Sequence, residues 1–130
     1  MNRNQQGFNL IELMITVVII GILASIAIPT YNQHVQESNR SEGMTMALDI
    51  LRAQENYAIN NLTYSTDLTA MDFPSPYKSP SGLYQFSAGQ CGSTPITDCV
   101  NITATALGSQ AADGNLSINS RGERTGNWGL

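Results

Sequence analysis

The sequence predicts an α+β protein, with one long N-terminal helix and an antiparallel sheet of three or four strands packed on the helix's C-terminal half. Three observations carry this. An apolar run extends from Phe8 to Ile28, with the carboxylate of Glu12 as its one charge. Beyond it, apolar residues recur at mostly three- and four-residue intervals as far as Ile59, the mark of a helix with one buried stripe. Further on, "VNITATAL" (100–107) and "NLSINS" (115–120) alternate apolar and polar residues, the mark of strands with one buried face. At 130 residues the chain suits one domain with a modest core.

The polar head "MNRNQQ" carries one positive charge, Arg3. The apolar run of 21 residues would be roughly 31 Å long as a helix, enough to cross a bilayer core of about 30 Å. Arg3 on its N-terminal side favours a cytoplasmic N-terminus and places everything after Pro29 outside. The competing reading is a cleaved secretory signal, because Ser25-Ile26-Ala27 is an acceptable small-residue cleavage site. Glu12 inside the apolar region weighs against it, as does the helical pattern that follows. An ionised carboxylate at the centre of a membrane helix costs about 3 kcal/mol on insertion scales. A reason for Glu12 is therefore required.

From Tyr31 to Ile59 the stripe is Tyr31, Val35, Met44, Ala47, Leu48, Leu51, Ala58 and Ile59. Ala, Leu, Met, Glu and Gln are plentiful there. The expectation is a single helix of some 50 residues with Pro29 and Gly43 as soft points. "PSPYKSPSG" (74–82) carries three prolines and one glycine and reads as a loop. "LYQFSA" (83–88) is a first strand candidate, ahead of the two alternating segments, and "GSQAADG" (108–114) is a connecting turn. The tail "RGERTGNWGL" reads as irregular, with Trp128 as its one large apolar anchor.

Composition narrows the function classes. The net charge is −4, from six basic and ten acidic side chains, which argues against a general nucleic-acid binder with its basic face. Cys91 and Cys99 bound a short polar loop, and outside the cytoplasm a disulfide is preferred over two free thiols. That loop, "CGSTPITDC", would serve as a structural staple or as a rigid surface loop shown to a partner, with the staple preferred. The spacing does not suit a four-ligand zinc site, and the one histidine, His34, reads as a solvated helical residue. Asp67 and Asp72 in "TDLTAMD" have no third ligand at calcium-loop spacing and read as caps or turn residues. Asn61, Asn101 and Asn115 match the short N-x-S/T pattern, a weak signal. No catalytic constellation stands out, and no cofactor is implied.

The stretch "GFNLIELMITVVIIGILASIAIPTY" (7–31) resembles the N-terminal signature of type IV prepilins. It departs from that signature at Asn9, where threonine is usual. The resemblance implies cleavage of a leader between Gly7 and Phe8 and N-methylation of Phe8. It also implies an assembly role for Glu12 and a helix kink at Gly21 and Pro29. Domains follow as leader 1–7, transmembrane and filament-core helix half 8–29, and globular domain 30–130. "NRSEGMTMALDILRAQENYAINNLTYSTDL", "GLYQFSA" and "VNITATALGSQAADGNLSINSRGERTG" are similar to the PilE-like minor pilins, relatives of the ComP DNA-uptake receptor pilins. "ADGNLSIN" lacks a cysteine that such relatives often carry, so the disulfide must be local, and bridge-dependent binding surfaces of relatives are not transferred.

The resemblance implies a structural subunit of a type IV pilus, more specifically a minor pilin that primes or modifies assembly for twitching, adhesion or DNA uptake. Its partners would be other pilin subunits, the prepilin peptidase/methyltransferase and the inner membrane. It would reside in that membrane with its globular domain periplasmic, then in an extracellular pilus. It would be a substrate of the peptidase rather than an enzyme. One alternative is a DNA-binding receptor pilin for natural transformation, with Arg121 and Arg124 as the DNA contacts; DNA is not the favoured partner, because the arginines are scattered. The other is a pseudopilin of a type II secretion system. The resemblance also offers a reason for Glu12: in a filament the family pairs it with the Phe8 amine of a neighbouring subunit, and a buried charge is far less costly paired than alone.

Overall fold

A computed structural model describes residues 6–129, so Arg3, on which the predicted orientation rests, lies outside the described residues. The longest element is helix α1, Leu10–Asn61, followed by strands β1 (Tyr77–Lys78), β2 (Tyr84–Gln90), β3 (Val100–Ala106), β4 (Leu116–Asn119) and β5 (Arg124–Thr125). Short 3₁₀ helices occupy Leu68–Met71 and Gly108–Asp113. The chain divides between Val35 and Gln36 into two compact units.

In the first unit, α1 is long and apolar enough to cross a membrane. Its large apolar side chains from Leu10 to Ile28 are exposed, as is Phe8 just before it at 93%. The hydroxyls of Thr16, Ser25 and Thr30 turn inward on the helix's own backbone. Thr16 donates to the Glu12 carbonyl at 2.7 Å, Ser25 to that of Ile22 at 2.6 Å and Thr30 to that of Ile26 at 3.0 Å. Polar groups on an apolar helix are thereby satisfied without water. The helix is unbroken through Gly21 and Pro29. Pro29 removes the donor that would meet the Ser25 carbonyl, so any softness there lies in that missing bond rather than in a break.

In the second unit, the five strands form one antiparallel meander in the order β1-β2-β3-β4-β5. Period-two burial is plain on β2 and β3. Tyr84, Phe86, Val100, Ile102, Ala104 and Ala106 are buried, while Gln85 and Ser87 are exposed between them. Leu116 and Ile118 of β4 continue the inner face, paired with Ala104 and Ile102. Ala47 and Ile50 of α1 close the core together with Leu68 and Trp128. Burying such side chains is worth about 1.5–3 kcal/mol each for the larger ones.

The structure differs from the sequence reading in several places. The sheet has five strands, because β1 and β5 are two residues each, too short to show a period. β1 lies inside the proline-rich stretch assigned to loop, and β5 inside the tail assigned as irregular. The 108–114 connector is a 3₁₀ helix rather than a simple turn. The buried face of α1 is Gly43, Ala47, Ile50 and Gln54, not the full apolar stripe. Tyr31 and Ile59 are 69% and 74% exposed. Gln54, a polar residue outside the apolar pattern, is fully buried: its amide donates to the Ser65 carbonyl and accepts from the Ser65 N–H, holding the chain that leaves the helix. Gly43 is not a soft point but a packing notch, since a Cβ there would stand 3.0 Å from the Tyr84 ring.

Candidate functional site

The first candidate site is the start of α1. Residues 6–9 precede the helix without regular structure, and Gly7 has no neighbour within 4 Å of where a Cβ would be. Gly7 and Phe8 are thus both exposed on a non-helical segment, the form in which a peptidase can bind a scissile bond. Asn9 occupies the N-cap position, its carbonyl accepting the Leu13 N–H at 3.2 Å. Glu12, three residues on, reaches back so that its Oε2 accepts the Asn9 N–H at 3.4 Å. This is one arm of a capping box, in which a third-position glutamate satisfies an orphan amide at the helix start. Glu12 also lies where the positive end of the helix dipole favours a carboxylate.

The geometry refines the question the sequence posed. In the isolated chain Glu12 is neither buried nor unpartnered, because it sits in the first turn of the helix. The Asn-x-x-Glu spacing carried that signal; sequence reasoning treated Asn9 only as a departure from the usual threonine. Asparagine and threonine are both cap residues, so the departure conserves the physics.

A second set of residues anchors the globular unit. Arg40 of α1 holds Asp113 through two hydrogen bonds, one from its Nε to Oδ2 at 2.6 Å and the other from Nη2 to Oδ1. Their side chains are only 14% and 9% exposed. The hydrogen bonds from Arg40 hold the Asp113 carboxyl below the usual range, and the same contact raises the Arg40 guanidinium. Gln110, fully buried, donates to the Tyr84 hydroxyl at 3.0 Å and to the Gln36 carbonyl at 3.1 Å. The 108–113 segment is clamped to the helix by this network, which nothing in the apolar pattern announced.

Cys91 and Cys99 are bridged, with Cα atoms 5.7 Å apart. The bridge closes the loop between the end of β2 and the start of β3, and Cys99 is fully buried. Asp67 caps the 3₁₀ helix Leu68–Met71 by accepting from the Thr69 N–H and hydroxyl, and Asp72 ends it in the left-handed conformation. Both are the cap and turn roles expected of them. His34 is exposed on α1. No group of three or more histidine, cysteine, aspartate or glutamate side chains suited to a metal occurs among the described residues.

The DNA-contact candidates, Arg121 and Arg124, share the β4–β5 hairpin and are both exposed. Asn119 builds that turn, its Oδ1 accepting the N–H groups of Arg121 and Glu123. Arg124 lies 5.0 Å over the Trp128 ring, a cation–π contact that the sequence did not reveal. The other cations of the globular unit do not join them. Arg40 is engaged by Asp113, Arg52 stands 3.6 Å from Asp49, and Lys78 sits on β1 at the opposite edge of the sheet.

This architecture, a long N-terminal helix with a meander sheet on its C-terminal half, is that of a type IV pilin. A solved structure titled as a type IV pilin from Shewanella oneidensis superposes with a TM-score of 0.53 at 21% identity, covering 69% of this chain and 90% of that one. The chain belongs to the family described as type IV minor pilin ComP, DNA uptake sequence receptor, whose profile matches residues 29–117, more than half of its length. The prokaryotic N-terminal methylation motif matches residues 2–28. The type IV major pilin protein PilE1 of Neisseria gonorrhoeae is 36% identical over 84 residues, 65% of this chain and 51% of that protein. The type IV major fimbrial protein FimA of Dichelobacter nodosus is 51% identical over 57 residues, 43% of this chain and 35% of that protein. The chain thus spans about half the length, or less, of these curated relatives.

Proposed function

We propose that this chain is a minor structural subunit of a type IV pilus, processed at its N-terminus and held in the filament by the apolar half of α1. One observation supports it above the others. The first unit exposes an apolar helix whose opening turn carries a carboxylate four residues after Phe8. Such a surface has no use in an isolated soluble protein. Cleavage between Gly7 and Phe8 would create a new amine about one helical turn from Glu12. In an apolar bundle of helices, that amine and the Glu12 carboxylate of a neighbouring subunit would neutralise each other and set the register. Before assembly the helix would rest in the inner membrane with the globular unit in the periplasm, where the disulfide forms; afterwards it would be part of an extracellular pilus. The chain is then a substrate of the prepilin peptidase/methyltransferase and not a catalyst.

Intact mass and N-terminal sequencing of the protein recovered from sheared pili test this reading. A start at methylated Phe8 supports it. A start at Ile28, the product of a conventional signal peptide, or absence from the pilus fraction refutes it.

The second reading is a DNA-binding receptor pilin, favoured by membership of a family described as a DNA uptake sequence receptor. The charges favour it less: residues 30–130 carry five basic and nine acidic side chains, and two of the five basic ones are already engaged by acids. Few phosphates could be neutralised, so weak binding with little sequence preference is expected. Tight, sequence-dependent binding at physiological salt, lost on replacing Arg121 and Arg124, would make the receptor reading the better one.

A further inference from the structure

We propose that the cavity between the 66–76 segment and β2 is a binding site for a neutral sugar unit, presented on a glycan that continues across the outer face of the sheet. This goes beyond filament membership and does not depend on it.

The cavity measures about 210 Å³. Asp67, Thr69, Ser75, Tyr77, Gln85 and Ser87 line it. Pockets for drug-sized ligands begin at about 300 Å³, so this one has room for a single ring and not for a nucleotide or a folded peptide. Its polar lining is rich in hydroxyls, with one amide and one carboxylate, a set that exchanges hydrogen bonds with hydroxyl groups in both directions. The carboxylate, Asp67, is the only charged residue of the lining and stays ionised, its acidity raised by the bonds from Thr69. That negative charge disfavours phosphates and nucleic acid. Lys78 stands opposite Gln85 on β1, but it does not line the cavity.

Tyr77 supplies an apolar wall that is held in place. Its ring lies 4.8 Å from that of Phe73 and 5.4 Å from that of Phe86, both tilted contacts. Tyr77, paired with the buried Phe86, closes the core side of the cavity, and the hydroxyl, amide and carboxylate groups form its polar side, so apolar C–H and polar O–H groups of one sugar ring both find a match.

The sheet extends the same chemistry away from the cavity. Ser87 is paired with Thr103, Thr103 with Ser117 and Ser117 with Thr125, so four hydroxyl residues form one row across β2, β3, β4 and β5. Neighbours in such a row have Cβ atoms about 4.5–5.5 Å apart. Gln85 opposite Thr105, and Asn101, flank the row on the same face, while Asn119 opposite Asn101 is buried and committed to the β4–β5 turn. The outward positions of β2, β3 and β4 thus carry no charge and no large apolar side chain. Such a face suits a hydroxylated chain better than DNA, a lipid or an apolar protein surface.

The test uses the isotopically labelled full-length chain in a zwitterionic detergent without sugar head groups, with amide shifts followed by NMR. The probes are methyl glycosides of glucose, galactose and N-acetylglucosamine, the disaccharides maltose, cellobiose and chitobiose, and, separately, spermidine and inorganic phosphate. At least one sugar should give saturable shifts at Thr66 to Thr69, Tyr77 and Gln85 to Ser87. The better disaccharide should bind more tightly and extend the shifts to Thr103. Asp67→Asn, which retains a good helix cap, and Gln85→Ala, on the exposed strand face, should each weaken binding about tenfold. The proposal is overturned if no sugar perturbs these amides at high millimolar concentration. It is equally overturned if spermidine or phosphate perturbs them and the sugars do not, or if both variants bind as the wild type does.

Discussion

The two halves of α1 have the same backbone and opposite logic. Between Leu10 and Val35, Ala24 alone is half-buried, and the large apolar side chains are displayed outward. Between Gln36 and Asn61 the buried positions are a glycine, an alanine, an isoleucine and a glutamine, at spacings of four, three and four. The first half is more apolar and buries nothing within its own chain; the second is more polar and forms one wall of a core. Burial is therefore decided here by what is available to pack against rather than by hydropathy. The first half shows its apolar surface outward, and under the proposed function a membrane and then neighbouring subunits would cover it. The second half is completed by its own sheet.

The comparison breaks most sharply at Glu12. Glu12→Gln keeps the shape and the reach to the Asn9 N–H and removes only the charge. Removing one side of a buried pair costs about 3–5 kcal/mol, so recovery in sheared pili should fall severely. The thermal unfolding of the globular unit and cleavage at Gly7 should be unchanged. Wild-type levels of the Gln variant in pili would remove the charge-pairing account.

Next in size is the clamp of the second half. Arg40→Met leaves Asp113 partly buried without its partner and should cost about 3 kcal/mol, read as a lower melting temperature. Asp113→Asn makes the pH dependence visible. The folded-state pKa of Asp113 lies below its unfolded value of about 3.9, so its contribution is present in full above that value. It is lost as pH falls through the depressed folded value. The stability gap between wild type and Asp113→Asn should hold from pH 7 down to about 5 and close at more acid pH. A gap independent of pH would show that the Arg40 contact is not what stabilises the ionised form.

The disulfide comes third. Replacing both Cys91 and Cys99 by serine opens a nine-residue loop, for which the chain-entropy relation gives about 2.5 kcal/mol. The loss should appear in the melting of the globular unit and leave processing at Gly7 untouched.

The smallest effect sharpens the comparison most cleanly, because the same substitution should act with opposite sign in the two halves. Gly43→Ala places a methyl 3.0 Å from the Tyr84 ring, and the overpacking cost of about 1–3 kcal/mol exceeds the gain of about 1 kcal/mol in helix propensity. Gly21→Ala meets nothing within 4 Å, so only the gain remains. The Gly43 variant should melt lower and the Gly21 variant should not. Equal behaviour would mean that Gly43 is not the packing notch the geometry describes.

The parts of this protein that were legible in its sequence share a physical cause. The apolar run, the Glu12 carboxylate within it and the period-two pattern of β3 are local signals, each complete within a few turns or one strand. Asp67 as a cap is of the same kind, since a short side chain that bonds an amide two residues on needs no distant partner. Even the Asn9–Glu12 contact was available in the three-residue spacing. What only the tertiary structure decided depends on partners far apart in the chain. Gln54 is buried because Ser65 satisfies it, and Gly43 is required because Tyr84 lies against it. Arg40 and Asp113, 73 residues apart, form the clamp, and β1 and β5 exist as strands because β2 and β4 offer them edges to pair with. The Ser87–Thr103–Ser117–Thr125 row is likewise a product of register. Periodicity reports how one segment divides its surface between inside and outside, and pairing across the fold selects which polar groups that inside can hold.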